Sequence, residues 1–166
     1  MNTALFADIG NLYYCVGKRF DERRLDYQKL LQRAVTLTKG PIGRAVAYGS
    51  QMGAEATQFI AKLQKIGFET KYRRPQLARD RTVVKKVDWD VTICIDVVKS
   101  VSRLDAVVLC TSDSDMVPLV SWVRDQGVQC VVLACGLPRE LRQVATRYYE
   151  ITGDMLEGEK NGSRAA

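Results

Sequence analysis

The segment VVLCTSDSDM runs an apolar stretch straight into Asp113 and Asp115, with one serine between them. Two chemistries suit that pattern. Asp115 can cap the helix that follows, or the end of a strand can hold carboxylates out toward a hard cation. A second apolar run, TALFAD, also ends on an acid, Asp8. A third source of acids is KKVDWDVTICIDVVKS, with Asp88, Asp90 and Asp96. Asp88 or Asp90 is accounted for by capping and by the helix dipole. Asp96 is not, because it falls in mid-helix beside an apolar stripe of Val91, Cys94, Ile95, Val98 and Val101. A carboxylate there is costly unless it pairs, for instance with Lys99 or Arg103, or binds a cation. Asp90 and Asp96 lie about 9 Å apart along a helix axis and about 120° around it, too far for both to hold one ion. The chain has no histidine. Any catalysis must therefore use carboxylates and hard cations.

The elements that must position these acids alternate. Short β-branched runs predict strands at Thr3–Asp8, Arg44–Tyr48, Phe68–Tyr72, Ala106–Cys110 and Gln129–Ala134, and a short one at Tyr148–Ile151. Helical periods predict helices near Asp26–Thr38, Ala54–Lys65, Trp89–Ser100, Pro118–Gln126 and Pro138–Val144, with Asp26 an N-cap and Gly67 and Gly127 C-terminal caps. Strict alternation with strands apolar on both faces implies a Rossmann-like three-layer α/β/α fold around a mainly parallel sheet. In such sheets ligands bind outside the carboxyl ends of strands where the order reverses. With order 3-2-1-4-5, strands one and four are neighbours, and Asp8 and Asp113 face each other across that crevice.

Length and composition set the remaining bounds. The 166 residues suit a single domain over 1–156, with EGEKNGSRAA (157–166) expected to be a disordered tail. Five cysteines without a CxxC read as reduced thiols of a cytoplasmic protein. The N-terminus has an aspartate by its eighth position and no basic n-region, so it is not expected to be a signal peptide, and no apolar run is long enough to span a membrane. The formal net charge is +6, concentrated in KYRRPQLARDRTVVKK. Lys71, Arg73, Arg74, Arg79, Arg81, Lys85 and Lys86, with Tyr72 among them, suit the backbone of a single-stranded nucleic acid. A solvated basic loop is the plainer reading. Tyr13, Tyr14 and Trp89 either stack bases or pack in the core.

At ALFADIGNLYY, KKVDWDVTICIDVVKS and VVLCTSDSDMVPLV the chain resembles the NYN-domain (LabA-like) branch of the PIN-like metal-dependent nucleases, over roughly residues 3–135. The resemblance implies a PIN-like fold and an acidic cluster of Asp8, Asp96, Asp113 and Asp115 around Mg²⁺ or Mn²⁺. Asn11 and Asp90 would sit beside it. By their own chemistry Ser112 and Ser114 either donate hydrogen bonds to phosphate or to the carboxylates or simply fit a tight turn, and Lys86 either neutralises charge near the phosphate or is a solvated surface lysine. The resemblance implies an endoribonuclease acting on RNA rather than DNA, and it leaves a homo-oligomer open. The family commonly shows Ser-Gly before the first acid of the last motif and an aromatic after the second. Here Thr111, Ser112 and Met116 stand there, which bears on local packing rather than on the acids. A haloacid-dehalogenase-type phosphatase shares the DxD, but only about fifty residues follow Asp115, too few for its later motifs. A Toprim domain needs glutamate where this chain has Asp8. The serious alternative is a non-catalytic PIN-like module that binds RNA or a protein partner.

Overall fold

The computed structural model describes residues 1–50, 53–77, 83–85, 87–136 and 138–158, with positions 53, 54, 77 and 83–85 described by their backbone alone. The first half of the chain forms β1 (Thr3–Asp8), α1 (Ile9–Arg19), α2 (Tyr27–Thr38), β2 (Ile42–Ser50), α3 (Gly53–Ile66) and β3 (Glu69–Arg73). Then come β4 (Gln76–Leu77), β5 (Val83–Lys85), α4 (Asp90–Ser100), β6 (Ala106–Cys110), α5 (Val117–Asp125), β7 (Gln129–Ala134), α6 (Arg139–Val144) and β8 (Arg147–Glu150).

Six strands make one sheet in the order β3-β2-β1-β6-β7-β8, and every pairing in it is parallel. Counted by these strands alone the order is 3-2-1-4-5-6: the expected arrangement, extended by β8. The central strands are buried along their whole length, as a sheet covered on both faces requires. In β1, Leu5 and Ala7 face Leu12 and Val16 of α1, Leu30 of α2 and Leu63 of α3. Ala4 and Phe6 face Ile93 and Val97 of α4, Val120 of α5 and Leu141 of α6. The connections after β1 and β6 therefore leave toward opposite faces, and a crevice opens between them.

The expected caps are in place. The Asp26 carboxylate accepts from the N–H groups of Gln28 and Lys29, and Gly67 and Gly127 take positive φ after α3 and α5.

Four features depart from the sequence reading. Helix α1 stands outside the expected elements, since GNLYYCVGKR mixes glycine and aromatic residues that are weak helix formers, and its cap is Asp8 rather than Asn11. The basic segment carries an antiparallel pair, β4 with β5, instead of the expected loop. Helix α4 departs in part: of the expected stripe Val101 is buried and Cys94 half-buried, but the sheet also takes Ile93 and Val97 in place of the rest. Trp89, Ile93, Val97 and Val101 are buried, while Val91, Ile95 and Val98 are 70%, 47% and 48% exposed. Finally, Glu157 belongs to the fold rather than to a tail. Its N–H donates to the Arg24 carbonyl at 2.9 Å and its carboxylate meets Lys62. The rest of that expected tail, from residue 159, lies outside the described residues. All five cysteines are free, and no described helix is long and apolar enough to cross a membrane.

Candidate metal and nucleic-acid site

The site begins where β1 and β6 end side by side, Ala7 paired with Cys110. Asp8 closes β1 and caps α1, its Oδ1 accepting the Asn11 N–H at 3.0 Å. The Asn11 Oδ1 accepts the Ser112 N–H at 2.7 Å, so the start of α1 is tied to the loop after β6. The Ser112 hydroxyl donates to the Cys135 carbonyl at 2.8 Å and accepts its N–H at 3.0 Å, which adds the end of β7 to the same frame. Thr111 is fully buried, and its Oγ1 accepts the Asp113 N–H at 3.1 Å. Asp113 in turn accepts the Asp115 N–H at 2.9 Å. The capping acid of this turn is therefore Asp113, not Asp115.

The third wall comes from the start of α4. Asp88 accepts the Asp90 N–H at 2.9 Å, and Trp89 between them is buried. Its indole N–H donates to the Gly49 carbonyl at 3.2 Å, and its ring lies 5.6 Å from that of Tyr48, which seats α4 on the end of β2. The Arg73 guanidinium covers the indole at 4.5 Å. Gly49 is required here by close approach, because a Cβ would stand 2.8 Å from the Tyr72 ring. The result is a cavity of about 650 Å³ whose lining includes Asp8, Asn11, Asp88, Asp90 and Asp113.

The acids respond to one another. Asp90 is pushed up to about 6, first by burial and then by the charges of Asp88, Asp113, Asp8 and Asp115. Asp8 is raised by burial and by Asp113 and Asp88, against the lowering pull of the Asn11 and Gly10 N–H groups. Among the described residues no three ligating groups stand close enough together, as placed, to enclose a cation. The donors are nevertheless of the right kind: four carboxylates at one cavity, of which Asp8 and Asp90 are held above their ordinary range.

The structure brings together Asp8, Asn11, Asp90 and Asp113, and adds Asp88. Asp96 is elsewhere: its Oδ2 accepts from Tyr48 Oη and from Lys71 Nζ, each at 2.6 Å. Burial alone would raise the Asp96 pKa, but these two bonds together hold it below the ordinary carboxylate range. Its expected partners Lys99 and Arg103 are not the ones it takes. Asp115 and Ser114 are exposed beside the cavity, and Ser112 spends its hydroxyl on β7. Of the basic residues, Lys71 is engaged by Asp96, Arg73 stacks on Trp89 and bonds Thr92, and Arg74 is exposed. Lys85 lies in β5, described by its backbone, and Arg79, Arg81 and Lys86 lie outside the described residues. Trp89 is a core residue, whereas Tyr13 and Tyr14 are 61% and 65% exposed. The sequence accounts for Asp88 by capping alone; in the structure it accepts the Asp90 N–H just before α4 and also faces the cavity.

A doubly wound parallel sheet with acids at its switch point makes this a three-layer α/β/α domain, an arrangement consistent with a PIN-like fold. The same fold occurs in the crystal structure of a protein of unknown function from Vibrio parahaemolyticus, with a TM-score of 0.81 at 24% identity, over 94% of this chain and 96% of that one. Residues 2–152 match the NYN domain, and the chain belongs to that family. No curated protein matches the chain.

Proposed function

We propose that the protein is a divalent-metal-dependent nuclease that hydrolyses phosphodiester bonds of single-stranded RNA. The observation that carries the proposal is the convergence of four aspartates from three distant segments, Asp8, Asp88 with Asp90, and Asp113, on one cavity at the sheet's switch point. Asp8, Asp90 and Asp113 would hold Mg²⁺ or Mn²⁺, with Asp88 beside them. An ion bound there supplies a hydroxide nucleophile at neutral pH and charge stabilisation at the leaving oxygen. The chain's own residues do the positioning. Asn11 and Ser112 lock β1, α1 and the loop after β6 together, so Asp8 and Asp113 keep their separation. Asp88 holds the first turn of α4 and thereby aims Asp90. Arg73 and Arg74, beside the cavity wall made by Trp89 and Pro75, offer charge to a phosphate backbone. The free thiols support a reducing, cytoplasmic setting.

The test is incubation of wild type and Asp113→Asn with labelled single-stranded RNA and DNA, in Mn²⁺, Mg²⁺ or EDTA. Metal-dependent cleavage of RNA by wild type, lost in the variant, is the expected result. Equal cleavage by both proteins ends the enzyme reading. A non-catalytic RNA-binding module is the second reading, favoured by the lack, among the described residues, of three ligating groups already gathered around one point.

A further inference from the structure

Tyr13 lines two cavities. One is the acid-lined cavity; the other, of about 440 Å³, is bounded by α1, α2, α3 and the segment that ends at Glu157. The buried side of this second cavity is apolar: Leu25 and Tyr27, with Phe59 meeting the Tyr27 ring edge to face at 5.5 Å between centroids. Its exposed side is mixed in charge, with the cations Arg23, Arg24 and Lys62 against Glu55 and Glu157. The Arg24 guanidinium has no partner among the described residues, although the Arg24 carbonyl is fixed by the Glu157 N–H at 2.9 Å. Lys62 Nζ meets the Glu157 Oε1 at 2.5 Å, so an anionic oxygen already sits where the lysine points. The Glu157 backbone is held independently of that contact, since its carbonyl accepts from Arg23 Nη2 at 3.1 Å.

Among the described residues the acid-lined cavity has no lysine or arginine in its lining, so a polyanionic strand that reaches it gains from cations placed beyond its walls. The second cavity shares a wall with it, carries an aromatic face and has a volume in the range that holds small ligands. We infer that this cavity is a nucleotide subsite of the same strand. It takes one nucleoside monophosphate unit, with the base against Tyr13 and Phe59 and the phosphate on Arg24 and Lys62 in place of the Glu157 carboxylate. The inference rests on the RNA reading above and adds the path of the strand to it.

The probe is a labelled single-stranded RNA octamer, its binding followed by anisotropy over a salt series with the Asp113→Asn protein as background so that no strand is cut. Adding Arg24→Ala with Lys62→Ala should weaken binding roughly tenfold or more and flatten the salt slope by about one, since up to two counterion-releasing contacts are lost. Adding Glu157→Gln should tighten binding a few-fold, a sign that misfolding does not produce. Salt-sensitive RNA binding indifferent to all three changes overturns the subsite and leaves the nuclease reading standing. Equal affinity for an oligoglutamate peptide overturns it too, in favour of a peptide site. Absence of any RNA binding, together with absence of cleavage by wild type, removes the RNA reading and the subsite with it.

Discussion

Asp90 and Asp96 sit on the same helix, less than two turns apart, in opposite surroundings. Asp90 faces Asp88, Asp113 and Asp8 across the cavity, and burial and then their charges push its pKa up to about 6. Asp96 accepts from Tyr48 and Lys71 on a single oxygen and is held below that range despite its burial. Tyr48 is the matching half: burial first, then the bond to Asp96, keep its phenol protonated and donating. The lesson concerns position. A carboxylate with two donors is a fastener between α4, β2 and β3, whereas a carboxylate among carboxylates is in want of a cation. Both are half-buried aspartates, and their residue type alone does not separate the roles.

The largest effect that tests this contrast is on cleavage. Asp113→Asn should lower it by roughly 1,000-fold or more, the scale on which loss of one catalytic carboxylate acts. Asp96→Asn should cost far less, about tenfold, because it disturbs only the seating of α4. Rates from single-turnover assays with labelled RNA would compare them. If Asp96→Asn is as inactive as Asp113→Asn while melting like wild type, the division of labour drawn here is wrong.

The next effect is on stability. Tyr48→Phe removes one donor to Asp96 and should cost about 1–3 kcal/mol, with Lys71→Met at the lower end because that ammonium is more exposed. Urea titrations would show it as a lower midpoint at unchanged slope. Gly49→Ala should cost a similar amount, about 1–3 kcal/mol, by forcing the Tyr72 ring away from the added carbon at a place where the ring has little room. Its test is whether the loss is recovered in Gly49→Ala with Tyr72→Leu, which clears the ring. A Gly49→Ala protein as stable as wild type would mean that β2 and β3 are held less tightly than the close packing implies.

Much of this was legible in the amino-acid order, and the failures have physical causes. Buried parallel strands write themselves as unbroken apolar runs, so TALFAD and AVVLC were plain, and with them the ends that carry Asp8 and Asp113. The crevice between those ends followed from alternation together with the strand order 3-2-1-4-5, which the sheet has. Helix α4 was harder. Periodicity finds an apolar row but does not say which of two rows the sheet takes, and Val91, Ile95 and Val98 match the helical period as well as Ile93 and Val97 do. The expected stripe shares Val101 with the buried face but omits Ile93 and Val97, and the partners expected for Asp96, Lys99 and Arg103, were only its near neighbours in sequence. Lys71 and Tyr48 lie far from Asp96 in sequence, on two other strands, and nothing local announces that contact. Asp88 was missed for the opposite reason, since a sufficient local explanation, capping, hid a second one.

The smallest effect separates the two aspartates by pH. Asp90 has a folded pKa of about 6, raised above its unfolded value, so the folded state holds the extra proton more tightly than the unfolded chain. The stability contributed by that proton is fully present below the unfolded pKa, near 4, and is lost as pH rises through about 6. Asp90→Asn removes the charge that is unwelcome at neutral pH. It should therefore melt slightly above wild type at pH 7 and indistinguishably from it near pH 4. Asp96 runs the other way: its folded pKa is lowered, so its contribution is present above the unfolded pKa and is lost as pH falls through the folded one. Asp96→Asn should accordingly melt below wild type at pH 7, with the gap closing in acid. Magnesium sharpens the same contrast, because an ion competes with the proton on Asp90. Millimolar Mg²⁺ should raise the wild-type melting temperature more at pH 7.5 than at pH 5, and the rise should shrink in Asp90→Asn but persist in Asp96→Asn. A magnesium shift that survives Asp90→Asn and disappears with Asp96→Asn would transfer the cation to the other aspartate.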